Sequence, residues 1–586
     1  MTDSEESFPV KKENQNGLER VLECFPEMSW YHFGKGQKSP KRLSSHPSDR
    51  LFAYCYYGYM GVATAVAGNI FYQYRPSEIS CDYGDVSDEY ALLASQNLTG
   101  EDALCTFYEP TGCEREEFGN ASTWDGDTLE QCFEQKELAE CTHFKYSDSN
   151  FNKTLVSEYN LVCGKKTMPL IFIMLFNIGL MVGPIVAGKV SDKLGRTKTI
   201  SFGALACVSL NMLIGVTDLG AWGYGIMRIF TVICSLVLAL PNMVYPSEVL
   251  TPKYRSMGAM MVVATALGAG ILIVVAIAWF IRDWRTLHIF ASLVNVPSIF
   301  APLLMPESYR WLYQNKKFDE AEAALLHMSK KAGGTVTQKI LDEIKEEILE
   351  KQNSATEDTE ISVEETLGQN ATIKRTALTL TFCQFIRGLI QFYLLYTVAS
   401  LGGDFWVNNI INNIIGFPAC FVSVWMMNNY SFGRKGAFIF GLACCAISQL
   451  LRVGSLIINS NLCAMMASYL GLFGAMGSMA VGQAYTSELF PTTVRIKATA
   501  VIYTGAMGGS FLVPIWMVLD SYIPWLATSI NFTLMSLGAF MCFKLPETFG
   551  NPMTETISDF EQIYENKKAA DEPDSEELLL KKAENN

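Results

Sequence analysis

The sequence predicts an all-α membrane protein: twelve transmembrane helices in two six-helix bundles, with a large extracellular loop domain after the first helix. Three observations predict it. Hydrophobic residues make up 49% of the 586 and fall into about a dozen runs, each near the length that crosses a bilayer. Landmarks of the first half of the chain return in the second at a nearly constant step. A long polar stretch between the first two runs gathers acids and cysteines.

The runs lie at 51–71, 168–188, 199–217, 222–245, 257–281, 286–305, 377–401, 405–427, 436–457, 462–485, 497–519 and 524–545, and mean hydropathy is +0.17. A soluble protein with a large core would need far more polar helix surface than these runs offer. The first run follows about fifty polar residues, so it reads as an uncleaved anchor rather than a signal peptide. A net charge of −14 speaks against a nucleic-acid partner.

Glu248 and Arg255 stand seven residues apart after one run, and Glu488 and Arg495 repeat that spacing 240 residues later. Met305-Pro306-Glu307-Ser308 returns as Leu545-Pro546-Glu547-Thr548 at the same step of 240, and Gly195-Arg196 returns as Gly433-Arg434 at 238. A period this long is not a solenoid. It is a duplicated half, the way secondary transporters are built around a central site.

The stretch 72–165 is too long for an ordinary connection and reads as a small domain. Between residues 72 and 163 it carries 19 acidic and 5 basic residues. Its six cysteines, Cys81, Cys105, Cys113, Cys132, Cys141 and Cys163, predict three disulfides in an oxidising compartment, with connectivity open among fifteen pairings. Sequons at Asn97, Asn120 and Asn152 predict glycosylation. Placing this stretch outside fixes both termini in the cytosol. Inner loops then hold Lys189, Lys193, Arg196, Lys198, Lys253, Arg255, Arg434, Lys435, Arg495 and Lys497, as the positive-inside rule requires. Only Arg282 and Arg285 dissent.

The chain thus divides into a cytosolic segment 1–50, a first span 51–71, the disulfide-bonded glycosylated loop 72–165, and spans two to six in 166–312. A cytosolic linker 313–375 with short amphipathic helices, spans seven to twelve in 376–548, and a polar cytosolic tail 549–586 complete it.

Gly188-Lys-Val-Ser-Asp192-Lys-Leu-Gly195-Arg196-Thr-Lys198 joins spans two and three. Its glycines allow a tight turn, Asp192 suits a helix N-terminus, and Arg196 can pair with a nearby acid. The segment resembles the inner-loop signature of the major facilitator superfamily, whose fold the repeat and span count also fit. The resemblance implies that Asp192, Arg196, Glu248 and Arg255 form a charge network closing the cytosolic side, echoed by Arg434, Glu488 and Arg495. Breaking and remaking such pairs as the halves rock would give alternating access. The alternative is that these charges only anchor the interface. In the second copy Tyr430 stands where Asp192 predicts an acid, which implies a weaker latch there.

The cysteine-rich first loop, Tyr159-Asn-Leu-Val-Cys163, Asp283-Trp-Arg285-Thr-Leu, Pro306-Glu-Ser-Tyr-Arg-Trp-Leu312, Ser487-Glu-Leu-Phe-Pro-Thr492 and Leu545-Pro-Glu-Thr-Phe-Gly550 are similar to the organic cation, anion and zwitterion (carnitine) transporter family. The family's charge-selective position in span eleven corresponds to Met507, which is neither acid nor arginine. Its basic residue of span ten corresponds to Leu472, and its span-four aromatics to Ala239 and Met243. The pocket is altered.

Ionisable residues within spans are costly and face cavities by default. Arg387 lies near the middle of span seven and Arg228 in the outer part of span four. Two such cations favour a carboxylate-bearing anion or zwitterion; the alternative is that they brace the bundle against carbonyls and amides. Gln391 is one turn beyond Arg387 on the same face. Tyr396 and Tyr503 are candidate cavity aromatics, while Asn408, Asn409, Asn412 and Asn413 suit hydrogen bonding between helices. No metal cluster, nucleotide loop or catalytic triad stands out, so neither an enzyme nor a cofactor is expected. The expected protein is a multi-pass plasma-membrane transporter of a small organic ion, with the bilayer as partner and the coupling ion open. A non-transporting glycoprotein or receptor on the same fold is one alternative; an organic cation or neutral-solute transporter is another.

Overall fold

The computed structural model describes residues 47–76, 78–82, 94–95, 105–110, 136–249, 252–332, 371–397, 403–429, 431–490, 492–549 and 560–561. Each predicted apolar run falls on helix. Span one is Pro47–Tyr72, two Met168–Leu194, three Arg196–Val216, four Gly220–Val249 and five Pro252–Phe280. Span seven is Ala371–Thr397, nine Gly433–Ile458, ten Asn461–Leu489 and twelve Pro524–Cys542. Among the described residues, nine helices are long and apolar enough to cross a membrane: spans two, three, four, seven, nine, ten and twelve, together with Phe405–Met427 and Ala498–Tyr522.

Three spans are broken. Span six divides into Trp284–Leu293, Val296–Ile299 and Ala301–Leu304. Pro297 and Pro302 sit at the starts of its later pieces, where a proline lacks the N–H a continuous helix would use. Span eight divides at Ile415 into Phe405–Ile414 and Gly416–Met427. Span eleven divides at Leu512, just before Pro514, into Thr492–Phe511 and Val513–Tyr522. The linker begins with helices Tyr309–Gln314 and Phe318–Ala332; its second predicted amphipathic stretch lies outside the described residues.

The duplication is visible in the packing. Span one packs on five and span two on four; span seven packs on eleven and span eight on ten. Between the halves, span two meets eleven and span five meets eight, contacts that the repeat interchanges. A Cβ on Gly388 would strike the Ala506 carbonyl, and one on Gly509 the Phe385 carbonyl. Glycine is therefore what lets spans seven and eleven approach so closely. Asn177, fully buried on span two, crosses to span eleven: its Nδ2 donates to the Ser510 carbonyl and its Oδ1 accepts from Ser510 Oγ, both at 3.0 Å. Phe280, Leu303 and Ile457, each more than 80% exposed, belong to the apolar exterior that hydrocarbon covers.

The loop domain contains two antiparallel pairs. Strand β1 (Glu78–Cys81) pairs with β4 (Phe144–Ser147), and β2 (Thr106–Pro110) with β3 (Lys136–Glu140). Disulfides join Cys81 to Cys141 and Cys105 to Cys163, the second tying β2 to the entry of span two. Each closes a loop of about 60 residues, which removes chain entropy from the unfolded state. Cys113, Cys132, Asn97 and Asn120 lie outside the described residues. Asn152 is exposed. The face bearing the disulfides is called outer below, and the opposite face inner.

Candidate functional site

At the inner face the glycine-arginine turn closes on three carboxylates. Gly195 adopts φ +97°, a conformation a side chain would strain, and a Cβ there would strike Glu307. The freed space lets Glu307 sit over the start of span three. Its oxygens accept from Arg196 N at 2.7 Å, Thr197 N at 3.2 Å, Thr197 Oγ1 at 2.7 Å and Ser308 N at 3.0 Å. A carboxylate there satisfies orphan amides and meets the positive end of the helix dipole. The Arg196 side chain reaches Glu248 Oε1 through Nη2 at 2.9 Å, Asp192 Oδ1 through Nη1 at 2.9 Å, and Ser191 Oγ at 3.0 Å. Tyr245 donates to the Pro306 carbonyl at 2.8 Å, and Tyr309 to the Glu248 carbonyl at 2.8 Å.

The second half repeats this. Gly433 has φ +65° beneath Glu547, which accepts from Arg434 N at 2.9 Å and Lys435 N at 3.0 Å. Arg434 pairs with Glu488 Oε2 at 2.9 Å, its guanidinium lies 5.0 Å from the Phe549 ring, and Tyr485 donates to the Pro546 carbonyl. Where Asp192 would be echoed, Arg434 Nη1 instead donates to the Met427 carbonyl at 2.7 Å. The Arg255 and Arg495 side chains, and Tyr430, lie outside the described residues.

Arg387 is buried in span seven. It donates through Nε to Gln384 and through Nη1 to Gln391, amides one turn below and above it. The Gln391 amide nitrogen rests against the Met476 and Met479 sulfurs at 3.6 and 3.9 Å. Tyr503 of span eleven lies within electrostatic reach of both Arg387 and Tyr59, and Met507 is buried one turn further on. Arg228 belongs to a separate cluster. Its Nη2 donates to the Ala65 carbonyl at 2.9 Å and Asn69 Oδ1 at 2.8 Å, and its guanidinium lies over Tyr72 and Phe176 at 5.6 and 5.3 Å. Tyr396 adjoins this cluster rather than Arg387. A third arginine, Arg452 of span nine, pairs with Asp520 of span eleven at 3.6 Å and bonds Thr397 Oγ1 at 3.3 Å. Of the span-eight amides, Asn408 bonds Tyr469 of span ten at 3.2 Å, while Asn409 and Asn413 bond carbonyls of their own helix.

The outer ends of the halves meet in an aromatic roof. Phe71 stacks on Trp406 at 6.1 Å and meets Phe405 edge-on at 5.8 Å; Phe151 and Trp279 also pack on Trp406. Asn150 Oδ1 accepts from Trp406 Nε1 at 3.0 Å while its Nδ2 donates to Tyr74 at 3.0 Å. Beside the roof, Glu158 accepts from Trp284 Nε1 at 2.6 Å and pairs with Arg285 at 2.8 Å. Arg285 also reaches Asp218 at 3.2 Å and the Thr217 carbonyl at 2.6 Å, and Arg282 donates to the Ser149 carbonyl at 2.7 Å. The two cations that break the positive-inside pattern are thus occupied by the loop and by outer turns.

A family model described as "Sugar (and other) transporter" matches residues 122–560. The chain belongs to that family. The chain is similar to the organic cation transporter protein of Drosophila melanogaster, 26% identical over 453 residues, covering 75% of this chain and 80% of that protein. It is similar to human organic cation/carnitine transporter 2, 26% identical over 423 residues, covering 71% and 73%. Among solved structures, the inward-open xylose transporter XylE from E. coli aligns with a TM-score of 0.54 at 16% identity, covering 88% of this chain and 99% of that one. That likeness carries the fold alone. As a member of the family the protein has the major facilitator fold and is a multi-pass plasma-membrane transporter, not an enzyme.

Sequence reasoning missed several residues of this transporter's network. Glu307 and Glu547 served as markers of the repeat, yet each caps a helix more than 100 residues away. The recurrence of a Pro-Glu dipeptide beside each recurring Gly-Arg was the available signal. Arg452 and Asp520 were visible as opposite charges at span edges. Nothing in the pattern singled out Asn177 and Ser510.

Proposed function

We propose that the protein moves a small organic ion bearing a carboxylate, an anion or a zwitterion, by alternating access. The observation that carries this is a contrast among three buried arginines. Arg452 has its own carboxylate in Asp520, whereas Arg387 and Arg228 hold only amides and a carbonyl among the described residues. A buried guanidinium with neutral partners retains its charge, and burying charge without a counterion is costly. A substrate carboxylate supplies the missing counterion. In this reading Arg387 with Gln391, and Arg228 with Tyr396, contact the substrate, while Tyr503 and Met507 line the passage. The inner networks of Asp192, Arg196 and Glu248, and of Arg434 and Glu488, gate it; the sequence pattern assigns Arg255 and Arg495 to the same role.

The relatives called organic cation/carnitine transporters support the substrate class, since carnitine carries a carboxylate beside its cation. Mutating Arg387 tests the charge assignment. We expect Arg387→Ala to lower kcat/KM for a carboxylate substrate at least about tenfold, with Arg387→Lys intermediate. Unchanged kinetics in Arg387→Ala would return Arg387 to a bracing role.

A further inference from the structure

Around Arg228, spans one, four, six and seven bury a set of polar groups that satisfy one another only in part. Among the described residues, Asn69 Nδ2, both amide atoms of Gln73, Tyr224 Oη, Arg228 Nε, His288 Nε2 and Tyr396 Oη have no hydrogen-bond partner. Asn69, Tyr224, Arg228 and His288 are each at most 2% exposed, and Tyr396 is 9% exposed. They form one cluster. His288 stacks on Tyr72 at 3.6 Å and meets Tyr224 at 5.9 Å, and Arg228 bonds Asn69. The Tyr396 hydroxyl faces the Asn69 amide and the Tyr224 hydroxyl faces the Gln73 amide, close enough to interact but short of a well-formed hydrogen bond, with Arg228 near both tyrosines. Buried polar groups are normally paired, so such a concentration needs a reason.

The chemistry of the set is lopsided. Asn69 Nδ2, Gln73 Nε2, Tyr224, Arg228 Nε and Tyr396 can all donate. Asn211 donates its Nδ2 to the Cys207 carbonyl at 2.8 Å, which turns its Oδ1 toward His288 Nδ1 at 3.2 Å. His288 therefore keeps its proton on Nδ1 and offers Nε2 as an acceptor, joining Gln73 Oε1. Four donors around a guanidinium that keeps its own Nε free, set against two groups that can only accept, suit an anion, and the two tyrosine hydroxyls among the donors can turn to donate to it. The cluster is also distinct from Arg387: Tyr396 stands nine residues further along span seven, about 13.5 Å along the helix axis. The aromatic roof of Phe71, Phe405 and Trp406 joins the halves at the outer ends of these spans.

We propose that this cluster is an outer carboxylate-binding subsite, separate from Arg387 and collapsed while the roof is shut. When the halves part beneath the roof, the donors of spans one and four move away from Tyr396 of span seven and receive the anionic end of an incoming solute. Closing the roof without cargo leaves them only partly paired. This rests on the transport reading above.

The test uses impermeant thiol reagents on the full-length protein at the cell surface. Tyr396→Cys and Gln73→Cys are each made in a Cys463→Ser background, because Cys463 is free and exposed. Labelling rates are compared for an anionic and a cationic methanethiosulfonate, each normalised to its rate with a free thiol in solution. The normalised anionic rate should exceed the cationic one about tenfold, as electrostatic focusing in a cleft predicts. Adding Arg228→Gln should abolish that preference. Equal rates, a cationic preference, or no labelling from outside at either position would overturn the subsite. Uptake measured on cells that carry Cys463→Ser alone separates the two readings: uptake there without anion-selective labelling of the cysteine variants removes the subsite alone. Anion-selective labelling without uptake leaves the subsite standing and removes the transport reading.

Discussion

Asp192 and Glu248 both touch Arg196, yet they are unequal partners. The Asp192 side chain is 76% exposed and Glu248 14%. An exposed pair contributes about 0–1 kcal/mol, whereas removing one partner of a buried pair costs about 3–5. The absence of an acid in the second copy therefore matters less than the sequence implies, because Arg434 keeps Glu488 and gains the Met427 carbonyl. Asp192→Asn should leave the melting temperature of purified protein nearly unchanged, while Glu248→Gln and Glu488→Gln each lower it by several degrees. A large loss from Asp192→Asn alone would contradict this. At the outer side, burial pushes the Glu158 carboxyl up, but Arg285 and Trp284 hold it below the usual range. A depressed folded-state pKa stabilises above the unfolded value, about 4.3, and that stabilisation is lost as pH falls through the folded one. The gap in melting temperature between wild type and Glu158→Gln should hold from pH 7 to about 5 and shrink below about 4. A gap that persists at pH 3 would remove the ionised carboxylate from the account.

At the scale of elements, the helices were the most legible part of the chain. Runs of apolar residues announce themselves because lipid leaves the backbone no alternative to helix. The breaks in spans six, eight and eleven were less visible, although a proline stands just beyond each: Pro297 and Pro302, Pro418 after Ile415 and Gly416, and Pro514. Helix starts were legible as glycines, but their carboxylate caps were not, since Glu307 and Glu547 act across more than 100 residues of chain. Partners that distant leave no periodic trace. Two glycines make a sharp test of helix packing. Gly509→Ala places a methyl group into the Phe385 carbonyl, so spans seven and eleven must separate. Overpacking of this kind costs about 1–3 kcal/mol. The variant should melt several degrees lower in detergent than Gly508→Ala, whose added carbon would find only van der Waals contact with Phe385. Equal stability of the two would mean the helices have slack the packing does not show.

At the scale of the molecule, the 240-residue echo is a physical symmetry. Tyr245 and Tyr485 hold Pro306 and Pro546 through the same bond, and the pairings of two with eleven and five with eight exchange under it. The proposed function rests on departures from that symmetry. Arg228 lies in the first half and Arg387 in the second, on spans that the duplication does not equate. Each was legible as an intramembrane charge; their division between two clusters was not, because helix depth alone does not say which neighbour a side chain meets. The central claim is that these two uncompensated guanidiniums select a carboxylate. Its most direct measurement is uptake into vesicles containing the purified protein across matched carboxylates, zwitterions, organic cations and neutral solutes. Accumulation of solutes that carry a carboxylate, and loss of that accumulation when the carboxylate is replaced by an amide, is the predicted result. Accumulation of cations that lack a carboxylate, equal to that of their acid-bearing counterparts, would contradict it.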